Sequence, residues 1–301
     1  MTAMATNVTA IGEILWDVYP DRKRLGGAPF NFIYHVWKIC GNGFFISSIG
    51  DDKNGDEIIT FLNAKGFPTD YIYIDKKHPT GTVQVKLLED KTPQFKISEE
   101  CSYDFITFDE RAEKLVDNQT DILYFGTLAQ RSNTTRSTIE SLFGKKIKYF
   151  CDLNLRHDFF SKDMIEKALE VSNVVKINED EFSKIKNFFT LDVNTNAAIR
   201  GLIKNFNIEL ICITRGGNGA LLSDGTEIDE SKSSGEEIVD TVGAGDAYAA
   251  ILCLGYLKKM NIKKLNKLAN DFASDICKVE GAIPIDDNIY HKYIREFEND
   301  G

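Results

Sequence analysis

Asp240-Thr241-Val242-Gly243-Ala244-Gly245-Asp246-Ala247 is a run of small residues that delivers one carboxylate to the start of an apolar stretch. Gly243, Ala244 and Gly245 let the backbone approach a ligand closely, and Ala247 to Lys259 carries apolar residues in helical spacing. The first amides of such a helix lack intrahelical acceptors and sit at the positive end of its dipole, where an anion is favoured. Asp246 beside that site is placed to take a proton from a hydroxyl attacking a phosphate, while the amides hold charge spreading over the phosphoryl oxygens. Taken singly, an Asp in a first helical turn reads first as a cap. Ile238 and Val239, just upstream, are expected to end a short strand.

Working outward, the apolar runs Val8 to Leu15, Phe44 to Ile49, Ile122 to Phe125, Ile147 to Phe150, Val174 to Ile177 and Leu210 to Ile213 are short and rich in β-branched and aromatic residues. They read as buried parallel strands. Helical segments lie between them, at Pro29 to Ile39, Gly55 to Lys65, Asp163 to Val171, Asp180 to Lys186 and Thr195 to Phe206. The alternation predicts a layered α/β sheet with right-handed crossovers. Gly81 to Ser98 breaks the rhythm: Thr82 to Leu88 and Pro93 to Ile97 read as a hairpin around the polar turn Glu89 to Thr92.

A second glycine turn, Gly26-Gly27-Ala28-Pro29-Phe30-Asn31-Phe32, opens the first predicted helix, and Gly12-Glu13-Ile14-Leu15-Trp16-Asp17 precedes it. Together with the stretch around Asp246, these motifs closely resemble the ribokinase-like (PfkB) carbohydrate kinases, and the resemblance covers essentially the full length. It implies one ribokinase-like domain over residues 1–301: a mostly parallel sheet flanked by helices, with a small β-lid built from about residues 16–25 and 81–100. It further implies ATP and a sugar as substrates, with Asp246 as catalytic base and Gly243, Ala244 and Gly245 as anion hole. Asp17, Gly26, Gly27 and Asn31 are then expected to line the sugar pocket. The lid is expected to cover the sugar and, in similar proteins, often makes a homodimer contact.

Four further segments gain a role from the resemblance. In Asp152-Leu153-Asn154-Leu155-Arg156 the polar residues alternate with leucines and would share one face of an extended segment at the carboxyl end of a strand. Asp152 and Asn154 are expected at the sugar, and Arg156 on phosphoryl oxygens. Asn178 and Glu181 match an Asn-x-x-Glu motif that helps hold hydrated Mg2+ on the nucleotide; as bare residues they read as a helix cap. Thr214, Gly216 and Gly219 match a turn at the nucleotide phosphates and ribose, and Asn270 and Ser274 lie where similar kinases bind adenine. In several family members the backbone around Asp240, Val242 and Gly281 also holds a monovalent cation such as K+.

Ribokinase and phosphofructokinase relatives usually carry a Lys after the paired glycines, whereas this chain has Ala28-Pro29, as do many fructokinases. Phe125-Gly126-Thr127-Leu128-Ala129-Gln130-Arg131 also resembles the bacterial fructokinases, and Arg131 is expected near the substrate. Phe30 and Phe32 stand where small residues are frequent near the sugar. The resemblance thus implies phosphorylation of D-fructose at its 6-hydroxyl; the alternatives are another small sugar, a keto-deoxy sugar acid, a nucleoside, or a noncatalytic sugar-binding regulator.

Bulk properties narrow the classes. The 301 residues are 43% hydrophobic, enough for a substantial core, and a formal net charge of −10 argues against nonspecific nucleic-acid binding. The six cysteines are scattered without a Cys-x-x-Cys pair, and the four histidines form no metal-ligand spacing. There is no signal-like leader or apolar span of membrane length, so a cytoplasmic protein is expected. No Gly-x-Gly-x-x-Gly follows the first strand and no Gly-Lys-Ser/Thr loop occurs, which disfavours dinucleotide oxidoreductases and P-loop enzymes.

Overall fold

The structure is a computed structural model, and it describes residues 6–87, 93–232 and 238–299. In chain order the elements are β1 (Val8–Ile11), β2 (Leu15–Val18), β3 (Lys23–Gly26), α1 (Ala28–Cys40), β4 (Gly43–Gly50), α2 (Lys53–Lys65), β5 (Ile72–Asp75), β6 (Gly81–Leu87), β7 (Pro93–Ile97), α3 (Glu110–Asn118), β8 (Ile122–Gly126), α4 (Asn133–Glu140), β9 (Lys148–Asp152), α5 (Lys162–Val171), β10 (Val174–Asn178), α6 (Glu179–Phe188), α7 (Thr195–Phe206), β11 (Leu210–Thr214), β12 (Ala220–Ser223), β13 (Ile228–Ser231), α8 (Ala244–Leu257), α9 (Ile262–Ile276) and α10 (His291–Asn299).

Nine strands form the main sheet in the order β13-β12-β11-β10-β9-β8-β1-β4-β5, parallel from β11 to β5 and antiparallel at β12 and β13. Its strands read as continuous apolar runs because both faces are covered. One core layer packs α1, α8 and α9 against the sheet, and the other packs residues of α3 to α7 against the opposite face. Helix α8 is apolar nearly all round, with Ala247 to Gly255 buried, as a helix enclosed between sheet and neighbouring helices must be. After β1 the chain steps outward to β4 and β5, then returns to place β8 on the other side of β1. That reversal is a topological switch point, and the carboxyl ends of the strands beside it lead to Glu13, Thr127, Leu153 and Glu179.

The predicted strand Val8 to Leu15 is two strands in two sheets. Gly12, at φ 152°, turns the chain out of the main sheet, and Leu15 begins β2 of a separate four-stranded sheet ordered β3-β2-β6-β7. A side chain at Gly12 would also meet the Pro29 ring at 2.6 Å. The hairpin is present as β6 and β7, paired from Val83 with Ile97 to Leu87 with Pro93; the predicted turn Glu89 to Thr92 lies outside the described residues. Because β2 pairs in parallel with β6, the segment after β1 and the hairpin form one surface. Ile238 and Val239 end no strand: both are exposed, and the Val239 amide bonds the Cys277 carbonyl instead.

Candidate active site

A cavity of about 900 Å³ opens between the carboxyl ends of the main-sheet strands and the small sheet. Leu15, Asp17, Tyr19, Val83, Phe95 and Ile97 of the small sheet and its flanks form one wall. Helix α8 projects its N-terminus into the cavity from the other side. Gly243 caps that helix at φ 80°, and a side chain there would meet Ala282 Cβ at 2.4 Å. Glycine is required by both the backbone angle and the close packing. Ala247 is the first amide to bond back to the Gly243 carbonyl, at 2.8 Å, which leaves the amides of Gly245 and Asp246 without an acceptor among the described residues, at a positive helix end. Asp240 braces the turn: its carboxylate accepts from Val242 N at 3.0 Å, Gly281 N at 3.1 Å and Arg24 Nη1 at 2.7 Å. Arg24, which also pairs with Glu280, thereby ties the small sheet to the Gly243 turn.

Asp246 opens on the cavity in the first turn of α8, and its Oδ2 accepts a hydrogen bond from Asn31 Nδ2 at 2.8 Å. Asn31 and Ala28 both line the cavity from the first turn of α1. Burial raises the Asp246 carboxyl to about 7, helped by the charge of Asp152; Lys176, the Asn31 bond and Arg156 hold it from rising further. That value suits a general base near neutrality. Asp17 is pushed up to about 6 by burial, against the pull of Arg156 and Arg24. Gly26 does not line the cavity; a side chain there would meet Asp17 Oδ2 at 2.6 Å, so the glycine makes room for the carboxylate. Gly27 lines the cavity at φ 110°, where a Cβ would lie 2.4 Å from the Glu13 carbonyl.

The segment after β9 departs from the expected alternation. Asp152 is buried at the strand end, paired with Lys176 Nζ at 2.8 and 3.0 Å and with the Tyr124 hydroxyl at 3.0 Å, and it does not line the cavity. Asn154 adopts φ 44°, which breaks the extended chain, so its neighbours turn into the cavity: Asn154, Leu155, Arg156 and His157 all line it. Glu181 is spent as a cap, its Oε2 accepting from Asn178 N at 2.8 Å and its Oε1 from Leu155 N at 2.7 Å. It fixes the Asn154 to Arg156 segment from behind, and Asn178 is the member of that pair on the cavity wall.

Arg131 is not at the cavity. Its side chain is 6% exposed, forks onto Asp104 at 2.7 and 2.8 Å, and reaches the Ser98 carbonyl and the Tyr103 hydroxyl. It anchors the chain leaving β7. Phe30 and Phe32 are likewise absent from the wall: Phe32 stacks on Tyr124 with centroids 3.7 Å apart, and Phe30 packs on Phe45 and Phe67. They lie between α1 and the sheet and leave the pocket shape to others.

The far end of the cavity is lined by Asn178, Thr214, Gly216, Gly217 and Gly219, and by Asn270, Ala273, Ser274 and Cys277 along one face of α9 and its cap. Asn270 Nδ2 is held by Asn266 of its own helix. Two buried charged residues on the wall belong to no role that the motifs imply. Glu13 sits inside a quoted motif, and Lys176 is a lysine in an apolar strand, a buried charge whose rarity was itself a signal. All six cysteines are unpaired. Among the described residues no helix is long and apolar enough to cross a membrane, and no group of three acidic, His or Cys side chains could hold a metal ion.

Comparison with known proteins places this geometry. Residues 8–288 match the model of the pfkB family carbohydrate kinases. An uncharacterized sugar kinase of Pyrococcus horikoshii is 29% identical over 298 residues, covering 91% of each chain. Its crystal structure superposes with a TM-score of 0.83 over 97% of this chain and 99% of that one at 26% identity, and its ATP complex at 0.80. A fructokinase of Salmonella typhimurium is 27% identical, over 82% of this chain and 83% of its own. Fructokinase of Vibrio cholerae O395, solved with fructose, ADP and calcium, shares the fold with a TM-score of 0.78 at 21% identity, covering 97% and 99% of the two chains; a double mutant of it holds potassium. The chain belongs to the pfkB family of carbohydrate kinases.

Proposed function

We propose that this sugar kinase is an ATP-dependent fructokinase that phosphorylates D-fructose at its 6-hydroxyl, with Asp246 as general base. The observation that carries the reading is the Asp246 carboxylate, held by Asn31 in the first turn of α8, in the same cavity as Asp17 and the Gly243 to Gly245 turn. As the sugar hydroxyl attacks the γ-phosphorus, its proton passes to Asp246, the new O–P bond forms, and the bond to the β-phosphate oxygen breaks to release ADP. The free amides of the turn, with Arg156, face the charge developing on the transferring group. Arg156 suits that task because it makes no ion pair among the described residues and lines the cavity.

The nucleotide is assigned to the far end, along Asn178, Thr214, Gly216, Gly219, Asn270 and Ser274. With Glu181 occupied by backbone amides, the donor set fits Mg2+ that arrives on ATP with most of its water, Asn178 bordering it, better than a metal caged by protein. When bound, the ion would neutralise phosphate charge. Asp240 and its neighbours are the proposed place for a monovalent cation. The small sheet is proposed as a lid over the sugar and as the surface of any homodimer. Six unpaired cysteines suit a reducing cytoplasm.

Fructose is favoured by Ala28-Pro29 after the paired glycines, and by the Salmonella and Vibrio relatives. The sugar end carries Glu13, Asp17 and Asp246 against Arg156, with Lys176 already paired to Asp152, which favours a neutral polyol over a keto-deoxy acid, the more so because Arg131 is committed to Asp104. The test is ATP-dependent turnover of fructose, other hexoses, ribose, keto-deoxy acids and nucleosides, with and without potassium. Preferential use of fructose supports the reading, and preference for another member replaces the substrate. Silence across the panel favours a noncatalytic binding protein.

A further inference from the structure

The reaction as proposed leaves the Glu13 carboxyl without a task. Glu13 follows the Gly12 turn between β1 and β2, and the close fit of Gly12 on Pro29 and of Gly27 on the Glu13 carbonyl fixes its backbone. The residue is 2% exposed, yet it lines the cavity alongside Asp17, Asn31 and Asp246. Its Oε2 is buried with no hydrogen-bond partner among the described residues. A buried carboxyl oxygen without a partner is costly, and one on a cavity wall acquires a partner when a polar ligand enters.

We propose that Glu13 is a substrate-binding residue whose Oε2 is completed by one hydroxyl of the sugar, which makes it a determinant of which sugar is accepted. The proposal rests on the sugar lying beside Asp246, and it holds for whichever sugar the enzyme prefers. A site built to hydrogen-bond a hydroxyl rejects the analogue that lacks it, because the protein group is then left buried and unpaired. Burial, reinforced by the charge of Asp246, raises the Glu13 carboxyl to about 8, while its own amide, Arg156 and the Ala28 amide oppose the rise. The neutral form can both donate to and accept from a hydroxyl.

The test is steady-state kinetics of Glu13→Leu and Glu13→Gln with the preferred sugar and its monodeoxy analogues. Glu13→Leu should raise the KM for the parent sugar about tenfold or more while leaving the KM for ATP within about twofold, and Glu13→Gln should stay within about threefold. For one monodeoxy analogue, the one lacking the contacted hydroxyl, wild type and Glu13→Leu should differ little. The wild-type sugar KM should also rise above pH 8, as the donor proton is lost, relative to Glu13→Gln. Asp246, Arg156, Tyr103 and Tyr124, the groups coupled to Glu13, are common to both proteins.

An unchanged sugar KM in Glu13→Leu, or an equal penalty on every analogue, overturns the proposal. Should Glu13→Leu not fold, Glu13→Gln decides alone: parallel pH profiles with wild type refute the role and divergence above pH 8 supports it. Asp246→Asn serves as control. If it retains turnover, the Asp246 reading fails, whereas a Glu13-specific analogue pattern survives that failure.

Discussion

The two ends of the cavity are built from different materials. At the end proposed for the sugar the wall is side chain: Glu13, Asp17, Asn31 and Asp246 line it, and all three carboxyls are pushed up by burial. At the end proposed for the nucleotide the wall is largely backbone and small residues, with Gly216, Gly217 and Gly219 beside Ala273 and Ser274. The Gly243 turn, the proposed anion hole, lies between them. A side-chain wall discriminates by matching hydroxyls, because each unmatched buried group is penalised. A backbone wall recognises phosphate and flat apolar surface, and it tolerates change as long as the backbone keeps its path. Substitutions should therefore fall on the sugar KM at one end, on the ATP KM at the other, and on kcat where the two meet.

The largest effect is expected at the junction. Asp246→Asn should lower kcat by roughly 10³-fold or more, with both KM values within a few-fold, because it removes the proton acceptor while keeping the shape and the hydrogen-bond geometry. Steady-state kinetics and a thermal melt check this; loss of affinity for one substrate alone would assign Asp246 to that end. Wild-type kcat/KM for the sugar should fall as pH drops through about 7, where the base of the free enzyme becomes protonated. The neighbouring Gly243→Ala should cost about 100-fold in kcat, since the residue sits at φ 80° and its new methyl would press on Ala282. It should also lower the thermal midpoint. A variant with full activity would show that the turn needs neither the angle nor the gap.

How much of this contrast the sequence held follows the same division. The Gly243 turn and the helix after it were legible because glycines and helix starts act locally, whereas Thr214 and Gly216 read by themselves only as a glycine-rich turn and took their proposed role from the family resemblance. Strands such as Ile122 to Phe125 were equally plain, being apolar runs buried on both faces. The break at Gly12 was hidden because Ile14 and Leu15 continue the apolar run into another sheet. Arg131 and Asp152 were misplaced for a further reason: their partners, Asp104 and Lys176, lie 27 and 24 positions away, and pairing at that separation is decided by the fold. Glu13 was quoted within a motif without a role, since a carboxylate's burial cannot be read from its chain neighbours.

Further out on the sugar side, Asp17→Asn should raise the sugar KM about tenfold and leave the ATP KM unchanged. Gly26 reserves the space its carboxylate fills, and Asn keeps the volume while giving up one acceptor. Isothermal titration with sugar alone measures this without turnover. A matching change in ATP affinity would mean that the two ends are coupled through the small sheet, for which Arg24 and Asp240 supply the link.

The smallest effect should come from Ser274→Ala at the opposite end. Ser274 lies on the α9 face with Ala273 and Cys277, and Asn270, one turn earlier, has its amide group committed to Asn266. A flat base against that face is held by apolar contact and main chain, so deleting one hydroxyl should change the ATP KM by no more than about twofold and leave the sugar KM untouched. Widening the same position with Ser274→Leu should raise the ATP KM more than the alanine does, because the surface there works by fit. If instead Ser274→Ala alone raised the ATP KM tenfold, the hydroxyl would be reading the base directly. The nucleotide end would then discriminate by side chain as the sugar end does.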